Sequence, residues 1–106
     1  MARRAARVDD NQKSVVDDLR TIGCSIQHLH AQGMGCPDIL AGWRGRNFLF
    51  EIKDPGKPPS TRGLRTMQEV WHQKWTGQVH VIHSADEAIE IMQREFNEIP
   101  IKGVIS

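Results

Sequence analysis

Two acids and a lysine near the middle of the chain are the residues whose spacing is best suited to chemistry. Asp38 is followed thirteen residues later by Glu51-Ile52-Lys53, which places a second acid two positions before a lysine. If Arg44 and Gly45 form a two-residue hairpin turn, antiparallel pairing sets Asp38 directly opposite Glu51, with Cβ atoms roughly 4.5–5.5 Å apart on one face. The register therefore predicts a carboxylate pair.

Such a pair needs neutralisation, because like charges opposite each other destabilise a sheet. Magnesium prefers carboxylate and carbonyl oxygens, so Asp38, Glu51 and the backbone carbonyl of Ile52 are candidate ligands for Mg²⁺ or Mn²⁺. Lys53 would lie roughly 6.6–6.8 Å further along the same face, where it could orient or help deprotonate an attacking water. This is the chemistry of phosphodiester hydrolysis. Without further signals, an exposed strand edge with an acid in a turn explains these residues equally well.

The first half of the chain reads as one helix followed by three strands. Val15, Val16, Leu19 and Ile22 recur at helical spacing before Gly23, which predicts the first helix. A short strand is predicted from Cys24 to Leu29, before a glycine-rich loop. Two further strands are predicted at about Pro37–Trp43 and Asn47–Lys53, joined by the Arg44-Gly45 turn.

The second half begins with a proline-rich loop over 54–60 and then alternates between helix and strand. Thr66-x-x-Glu69 has the form of a capping box at the start of a second helix. In that helix Met67, Val70, Trp71 and Trp75 are interpreted as core packing rather than as base-stacking platforms. A fourth strand follows over 79–82, and Ser84-x-x-Glu87 predicts the cap of a third helix. The apolar tail over 97–106 fits either an added strand or a dimer contact.

These elements predict a single α/β domain over 1–106, with the order α-β-β-β-α-β-α around a mixed sheet. No apolar run approaches the roughly 20 residues needed to cross a bilayer. We therefore expect a cytoplasmic protein that does not bind a membrane. The two cysteines are expected to be reduced and buried. A zinc site from Cys24, Cys36, His28 and His30 is the less favoured alternative, because it lacks C-x-x-C clustering.

Gly35-Cys36-Pro37-Asp38, followed by Glu51-Ile52-Lys53, resembles the PD-(D/E)xK nuclease signature. The chain is most similar to small stand-alone VRR-NUC-type and phage-encoded nucleases, which are related to Holliday junction resolvases. The likeness covers roughly 9–92 and includes Gln68-Glu69-Val70-Trp71 on the second helix. It implies a restriction-endonuclease-like sandwich, a Mg²⁺- or Mn²⁺-dependent deoxyribonuclease activity, and a bacterial or phage-encoded protein of the host cytoplasm.

The resemblance also implies individual roles. By this resemblance Asp38 and Glu51 would be metal ligands. Lys53 would orient the water or stabilise charge, and Gln68 would be an accessory catalytic residue. Many relatives carry a glutamate on the first helix facing the metal, whereas this chain offers Asn11 or Gln12 there, or Asp9 or Asp10 in another helical register. Either amide could hydrogen-bond a water but supplies no charge, which leaves open a catalytically weak or silent DNA-binding module.

The distribution of charge suggests where DNA would bind. Seven basic residues against three acidic ones lie between Arg44 and Lys74, whereas the segment 86–98 has a net charge of −4. Contacts to the phosphate backbone are predicted for Arg44, Arg46, Lys57, Arg62 and Arg65, with a basic arm over 1–8. No element suited to reading base edges is apparent, so we expect recognition of DNA shape, as in flaps, branches or junctions, and paired incision would require a homodimer. The overall charge of +1 also keeps a protein-interaction factor open.

Overall fold

The computed structural model describes the chain path over 10–54 and 62–105, and the side chains over 11–54 and 66–97. The helices are α1 (Asp10–Thr21), α2 (Arg62–Lys74) and α3 (Ala85–Ile105), and a short 3-10 turn covers His30–Gln32. The strands are β1 (Ser25–His28), β2 (Ile39–Trp43), β3 (Arg46–Ile52) and β4 (His80–Ile82). The predicted order of helices and strands is confirmed.

The four strands form one mixed sheet in the order β1-β2-β3-β4. Strand β2 is antiparallel to both β1 and β3, whereas β3 and β4 run parallel. A parallel pair needs a crossover connection, and α2 lies within the chain segment that supplies it. The carboxyl ends of β3 and β4 therefore meet at one edge of the sheet.

The hairpin between β2 and β3 has the register predicted from the sequence. Its turn lies at Arg44 and Gly45, with φ angles of 51° and 81°, and the closing pair is Trp43 with Arg46. Positive φ at both central residues is the signature of the type I′ turn, whose twist matches that of the flanking strands. Pairing continues to Ile39 opposite Phe50. This turn fixes which β3 side chains share a face.

The hydrophobic core lies on one side of β3. Phe48, Phe50 and Ile52 are buried in one cluster with residues of α1 and α3, among them Val15, Val16, Leu19, Ala88 and Met92. Burial of each large apolar side chain stabilises the fold by about 1.5–3 kcal/mol. Alternation along the strand places Leu49, Glu51 and Lys53 on the opposite side. The side chain of Gln68 from α2 reaches Glu51 there.

Two expectations for the helices are wrong. Because α2 begins at Arg62, Thr66 lies inside the helix and does not cap it. The stripe on α2 is not part of the core: Met67, Val70 and Trp75 are 37%, 44% and 44% exposed. Helical periodicity shows that a helix has an apolar face, but it does not show whether that face meets the sheet or solvent.

The ends of the other helices also bear on the predictions. Ser84 Oγ accepts a hydrogen bond from the Glu87 N–H at 3.2 Å, so the predicted cap of α3 is present. The Glu87 carboxylate accepts a hydrogen bond from the His83 N–H at 2.7 Å and not from the N–H of Ser84, as a capping box would require.

Helix α3 continues to Ile105, so the option of an added strand at 97–106 is wrong, and the dimer contact stays a prediction. At the other end, α1 stops at Thr21 and Ile22 is 40% exposed, so Ile22 does not extend the buried stripe.

No helix in the described ranges is long and apolar enough to cross a membrane.

Candidate active site

Asp38 lies immediately before β2, and both its backbone and its side chain form hydrogen bonds to β3. Its N–H donates to the Phe50 carbonyl at 3.1 Å, and its Oδ2 accepts from the Ile52 N–H at 2.7 Å. The preceding Pro37 has no N–H to donate, so it cannot prolong the antiparallel ladder as a donor. Strand pairing thus ends at Ile39 and Phe50, one step short of the expected Asp38–Glu51 pair. The Asp38 carboxylate is held beside β3 by the Ile52 amide.

Glu51 is a carboxylate buried almost completely, at 3% exposure. Its Oε2 accepts a hydrogen bond from Gln68 Nε2 at 3.0 Å and lies 3.4 Å from Lys53 Nζ. Its Oε1 is also buried and has no hydrogen-bond partner among the described residues. Burial, and then the charge of Asp38, raise the pKa of Glu51 to about 7 against the opposing effect of Lys53. The carboxyl therefore has one satisfied oxygen and one that is unused.

Gln68 connects the two ends of the Glu51-x-Lys53 motif. Its Oε1 accepts a hydrogen bond from Lys53 Nζ at 2.8 Å, while its Nε2 donates to Glu51. The backbone N–H of Lys53 donates to the Ile82 carbonyl at 2.9 Å, which ties this end of β3 to β4. The Lys53 side chain remains 42% exposed. The ammonium group is thus positioned by a side chain of α2 while it stays accessible to a ligand.

The two amides at the start of α1 do not hydrogen-bond to the carboxylates. Asn11 Nδ2 donates to the backbone carbonyls of Lys53 and His83, at 2.8 and 3.3 Å, and so joins α1 to the ends of β3 and β4. Gln12 is 7% exposed, and its Nε2 has no hydrogen-bond partner within the described part of the chain. It shares the buried side of α1 with Val15 and Leu19. The accessory role expected of these two residues stays a prediction.

The arginines of the hairpin lie far from the carboxylates. The Arg44 guanidinium lies 4.5 Å from the centroid of the Trp43 ring, and that of Arg46 lies 5.9 Å from the Phe96 ring. Arg46 is five residues from Glu51 along β3, which corresponds to roughly 16–17 Å. The structure therefore does not gather these arginines around the site. Of the other predicted phosphate contacts, Lys57 lies outside the described residues, as do the side chains of Arg62 and Arg65.

Two further titratable residues near the site, Cys36 and His72, were not assigned to the acidic pair from the sequence. Burial, and then the charges of Glu51 and Asp38, raise the pKa of the Cys36 thiol. Burial, and then the charge of Lys53, lower the pKa of His72. His72 is four residues after Gln68 on α2, a spacing that puts both side chains on one face of a helix. That spacing was the available signal for His72.

The donor set suits a hard divalent cation. Asp38 and Glu51 supply carboxylate oxygens, and the unpartnered Oε1 of Glu51 is a buried acceptor that a cation would satisfy. The described residues contain no group of three or more His, Cys, Asp or Glu side chains that could hold a metal. Magnesium suits such a sparse site, because it keeps several waters when it binds to one or two carboxylates. The alternative zinc site from Cys24, Cys36, His28 and His30 is not formed.

Comparison with solved structures finds a chain described as a VRR_NUC domain. The match has a TM-score of 0.55 and 22% sequence identity, and it covers 77% of this chain and 89% of that chain. No protein-family model matches the sequence, and no curated protein matches it. At this identity the likeness establishes the fold, so the predicted restriction-endonuclease-like sandwich around a mixed sheet is confirmed.

Proposed function

We propose that this chain, which shares its fold with a VRR_NUC domain, hydrolyses phosphodiester bonds in DNA with the help of Mg²⁺ or Mn²⁺. The observation that carries the proposal is the Glu51 carboxyl, which is buried beside Asp38 with one oxygen unused and the other bonded to Gln68. A buried carboxyl beside a second, half-buried acid destabilises the fold unless positive charge compensates it. Perturbed groups of this kind cluster at functional sites.

Asp38, Glu51 and the backbone carbonyl of Ile52 would hold the cation. When bound, it would polarise the phosphoryl group and offset the negative charge that develops during hydrolysis. Lys53 carries the other positive charge of the site, and Gln68 directs it by accepting from Nζ. An ammonium held in this way can orient the attacking water or stabilise the charged phosphate oxygens. Glu51 and Lys53 are therefore positioned as a unit by one glutamine.

The preferred substrate in this proposal is branched, flapped or junction DNA, bound through its backbone and shape. Lys57, Arg62 and Arg65 precede Gln68 in the sequence, the last two in the first turn of α2, and in this proposal they would contact phosphates. Arg44 and Arg46 would contact the DNA only if the DNA extended along the hairpin as far as the Arg44-Gly45 turn. A single site cuts one strand, so paired incision at a junction would require a homodimer.

A cleavage panel tests the proposal. Duplex, single-stranded, flap and four-way junction DNA are incubated with Mg²⁺, Mn²⁺ or EDTA, using the wild-type protein, Asp38→Asn and Glu51→Gln. We expect cleavage only with a divalent cation and a loss of roughly 100-fold or more in each variant, since loss of outer-shell partners alone costs 10–100-fold. Glu69→Gln serves as the control, because Glu69 is an exposed acid on α2. Cleavage that persists in EDTA or in Glu51→Gln would overturn the mechanism.

The second candidate is a DNA-binding module that does not cut. It is favoured by the position of Asn11, whose amide serves backbone carbonyls and not the acidic pair. This candidate predicts DNA affinity that falls steeply with salt concentration, with no product under any divalent ion. The same panel, run beside a binding assay at two salt concentrations, separates the two functions.

A further inference from the structure

An apolar groove lies along α2, the helix that carries Gln68. This aromatic groove has a volume of about 340 Å³ and is lined chiefly by Met34, Met67, Val70, Trp71, Lys74 and Trp75. Met34 is 76% exposed, and Val70 and Trp75 are each 44% exposed. Large apolar side chains that gather on a surface, and do not fill the core, commonly mark a binding site. The volume lies within the range of small-molecule sites.

The two tryptophans of the groove are already stacked on one another. Their ring centroids are 4.6 Å apart and their planes differ by 17°. The Trp75 indole is further fixed by Nε1, which donates to the Gln78 carbonyl at 3.2 Å. Since the ring orientation is set before any ligand arrives, little conformational entropy would be lost on binding. The stack offers a flat, ordered aromatic surface.

The tryptophans of the groove lie on the side of α2 that carries Gln68. Trp71 and Trp75 follow Gln68 by three and seven residues, a spacing that puts all three on one side of α2. Along the helix axis these steps correspond to roughly 4.5 and 10.5 Å. Successive bases of a stacked strand are about 3.4 Å apart, so Trp75 lies within about three nucleotides of Gln68. A strand bound at Lys53 could reach the tryptophans.

We propose that the aromatic groove binds unpaired bases of the DNA strand on which the site acts, by stacking them on the Trp71–Trp75 pair. This inference rests on the proposed function and adds a substrate class to it, namely DNA with a single-stranded segment beside the cut. Bases stack on aromatic side chains without regard to sequence, and a neighbouring cation follows the phosphates. Lys74 supplies that cation at the groove.

Paired bases cannot use this surface, because the faces of bases within a duplex are covered by their neighbours. A flap or gap exposes bases next to a duplex, so it can occupy the groove and the candidate active site together. The groove thereby supplies a physical reason for selection of DNA structure that the phosphate contacts alone do not supply. Met34 and Val70 would cover the edges of the bound base.

The test measures binding in EDTA, where no metal-dependent cutting takes place. Fluorescein-labelled oligo(dT) of about 12 nucleotides is compared with an abasic strand of equal length and charge. The proteins are the wild type, Trp75→Ala, Trp75→Phe and the control Val81→Ala, whose side chain is 47% exposed on β4. Circular dichroism verifies the fold of each variant, and quenching of wild-type tryptophan fluorescence reports stacking without any substitution.

We expect oligo(dT) to bind more tightly than the abasic strand and to quench the tryptophan fluorescence. Trp75→Ala should weaken oligo(dT) binding roughly 5- to 100-fold, Trp75→Phe should restore most of it, and Val81→Ala should match the wild type. Equal affinity for both strands, or unchanged binding in Trp75→Ala, would overturn the proposal. So would a concentration-dependent dimer that Trp75→Ala abolishes while DNA binding is unaffected, because the groove would then bind a second copy.

Cleavage assays with the same variants distinguish this inference from the proposed function. If the groove selects unpaired bases, Trp75→Ala should lose the preference for flap over blunt duplex that the wild type shows. If wild-type protein stacks oligo(dT) through Trp75 but cuts no DNA with Mn²⁺, the nuclease proposal fails and the stacking site stands. If the protein cuts flaps and Trp75→Ala cuts them equally well, the stacking site fails and the nuclease proposal stands.

Discussion

Glu51 is the one charged residue among the described side chains that is almost completely buried. A buried charge is costly unless it is paired and hydrogen-bonded. Lys53 and Gln68 compensate one oxygen of this carboxyl, while Oε1 has no partner among the described residues. Asp38 adds a second negative charge nearby. In the proposed function, a bound cation would relieve the cost of this arrangement.

The raised pKa of Glu51 predicts how stability depends on pH in the absence of metal. Between its ordinary pKa of 4.5 and the folded value of about 7, the folded protein retains a proton that the unfolded chain has released. The free energy of unfolding of the wild type should therefore decrease as pH rises through this window, and level off above it. Glu51→Gln removes this contribution. Its stability relative to the wild type should increase by on the order of 1–3 kcal/mol between about pH 5 and about pH 8.

Thermal unfolding in EDTA at several pH values measures this difference. Glu69→Gln is the matched control, because Glu69 is an exposed acid on α2 and its replacement should give a difference that does not change with pH. Added Mn²⁺ should stabilise the wild type and leave Glu51→Gln unchanged. A constant difference between Glu51→Gln and the wild type across the pH range would contradict the account of Glu51.

At the scale of elements, the position of α2 depends on a close backbone approach at Gly35. Gly35 has a φ of 83°, and a Cβ there would clash with the Met67 carbonyl oxygen and lie 3.0 Å from the Gln68 amide nitrogen. The loop before Asp38 thus packs directly on the turn of α2 that carries Gln68. Glycine permits both the backbone conformation and the approach.

Gly35→Ala should therefore displace α2 and weaken the hydrogen bonds of Gln68 to Glu51 and Lys53. Gly33→Ala is the matched control, since Gly33 also has a positive φ, of 64°, but an added Cβ meets nothing within 4 Å. Both variants should lose about 1–3 kcal/mol of stability, because alanine is strained at these positive φ angles, and the clash with Met67 should add to the loss in Gly35→Ala. Only Gly35→Ala should also lose roughly tenfold or more in single-turnover cleavage, in view of the cost of small displacements in active sites. Equal cleavage rates in both variants, measured well below their melting temperatures, would show that this contact does not position Gln68.

The hairpin was predictable because its determinants are local. Arg44-Gly45 specifies a two-residue turn, and alternation of Phe48 and Phe50 with Leu49 and Glu51 then fixes the register and the faces. The start of β2 was less predictable. Pro37 was placed in the strand, yet the ladder begins at Ile39 and the Asp38 side chain bonds to the Ile52 amide. A side chain that replaces a backbone partner leaves no periodic signal in the sequence.

The placement of α2 depends on tertiary contacts and was therefore missed in part. Its apolar stripe predicted a helix correctly, but Trp75 and Val70 face the aromatic groove and not the core. The backbone of Gly35 approaches that of Met67 closely, and this contact joins residues that are distant in the sequence. Gln68 was identified only through the resemblance to known nucleases, since a glutamine on a helix carries no chemical signal of its own.

At the scale of the whole molecule, the hydrophobic core and the candidate active site lie on opposite faces of the sheet. One face of β3 packs Phe48 and Phe50 in a core with α1 and α3, and the other presents Glu51 and Lys53 to α2. Alternation along a strand makes this division predictable from the sequence. The segments that would contact DNA, the basic arm over 1–8 and Lys57, lie outside the described residues, so their roles stay predictions.

Calorimetric titration with Mn²⁺ tests most directly whether this architecture assembles a metal site from Asp38 and Glu51. The wild type should bind the ion at a site that Asp38→Asn and Glu51→Gln each weaken by roughly 100-fold or more, because loss of outer-shell partners alone costs 10–100-fold. Lys53→Met should bind Mn²⁺ at least as tightly as the wild type, since it removes a positive charge 3.4 Å from Glu51, while it loses cleavage. Wild-type affinity for Mn²⁺ in both Asp38→Asn and Glu51→Gln would contradict the account.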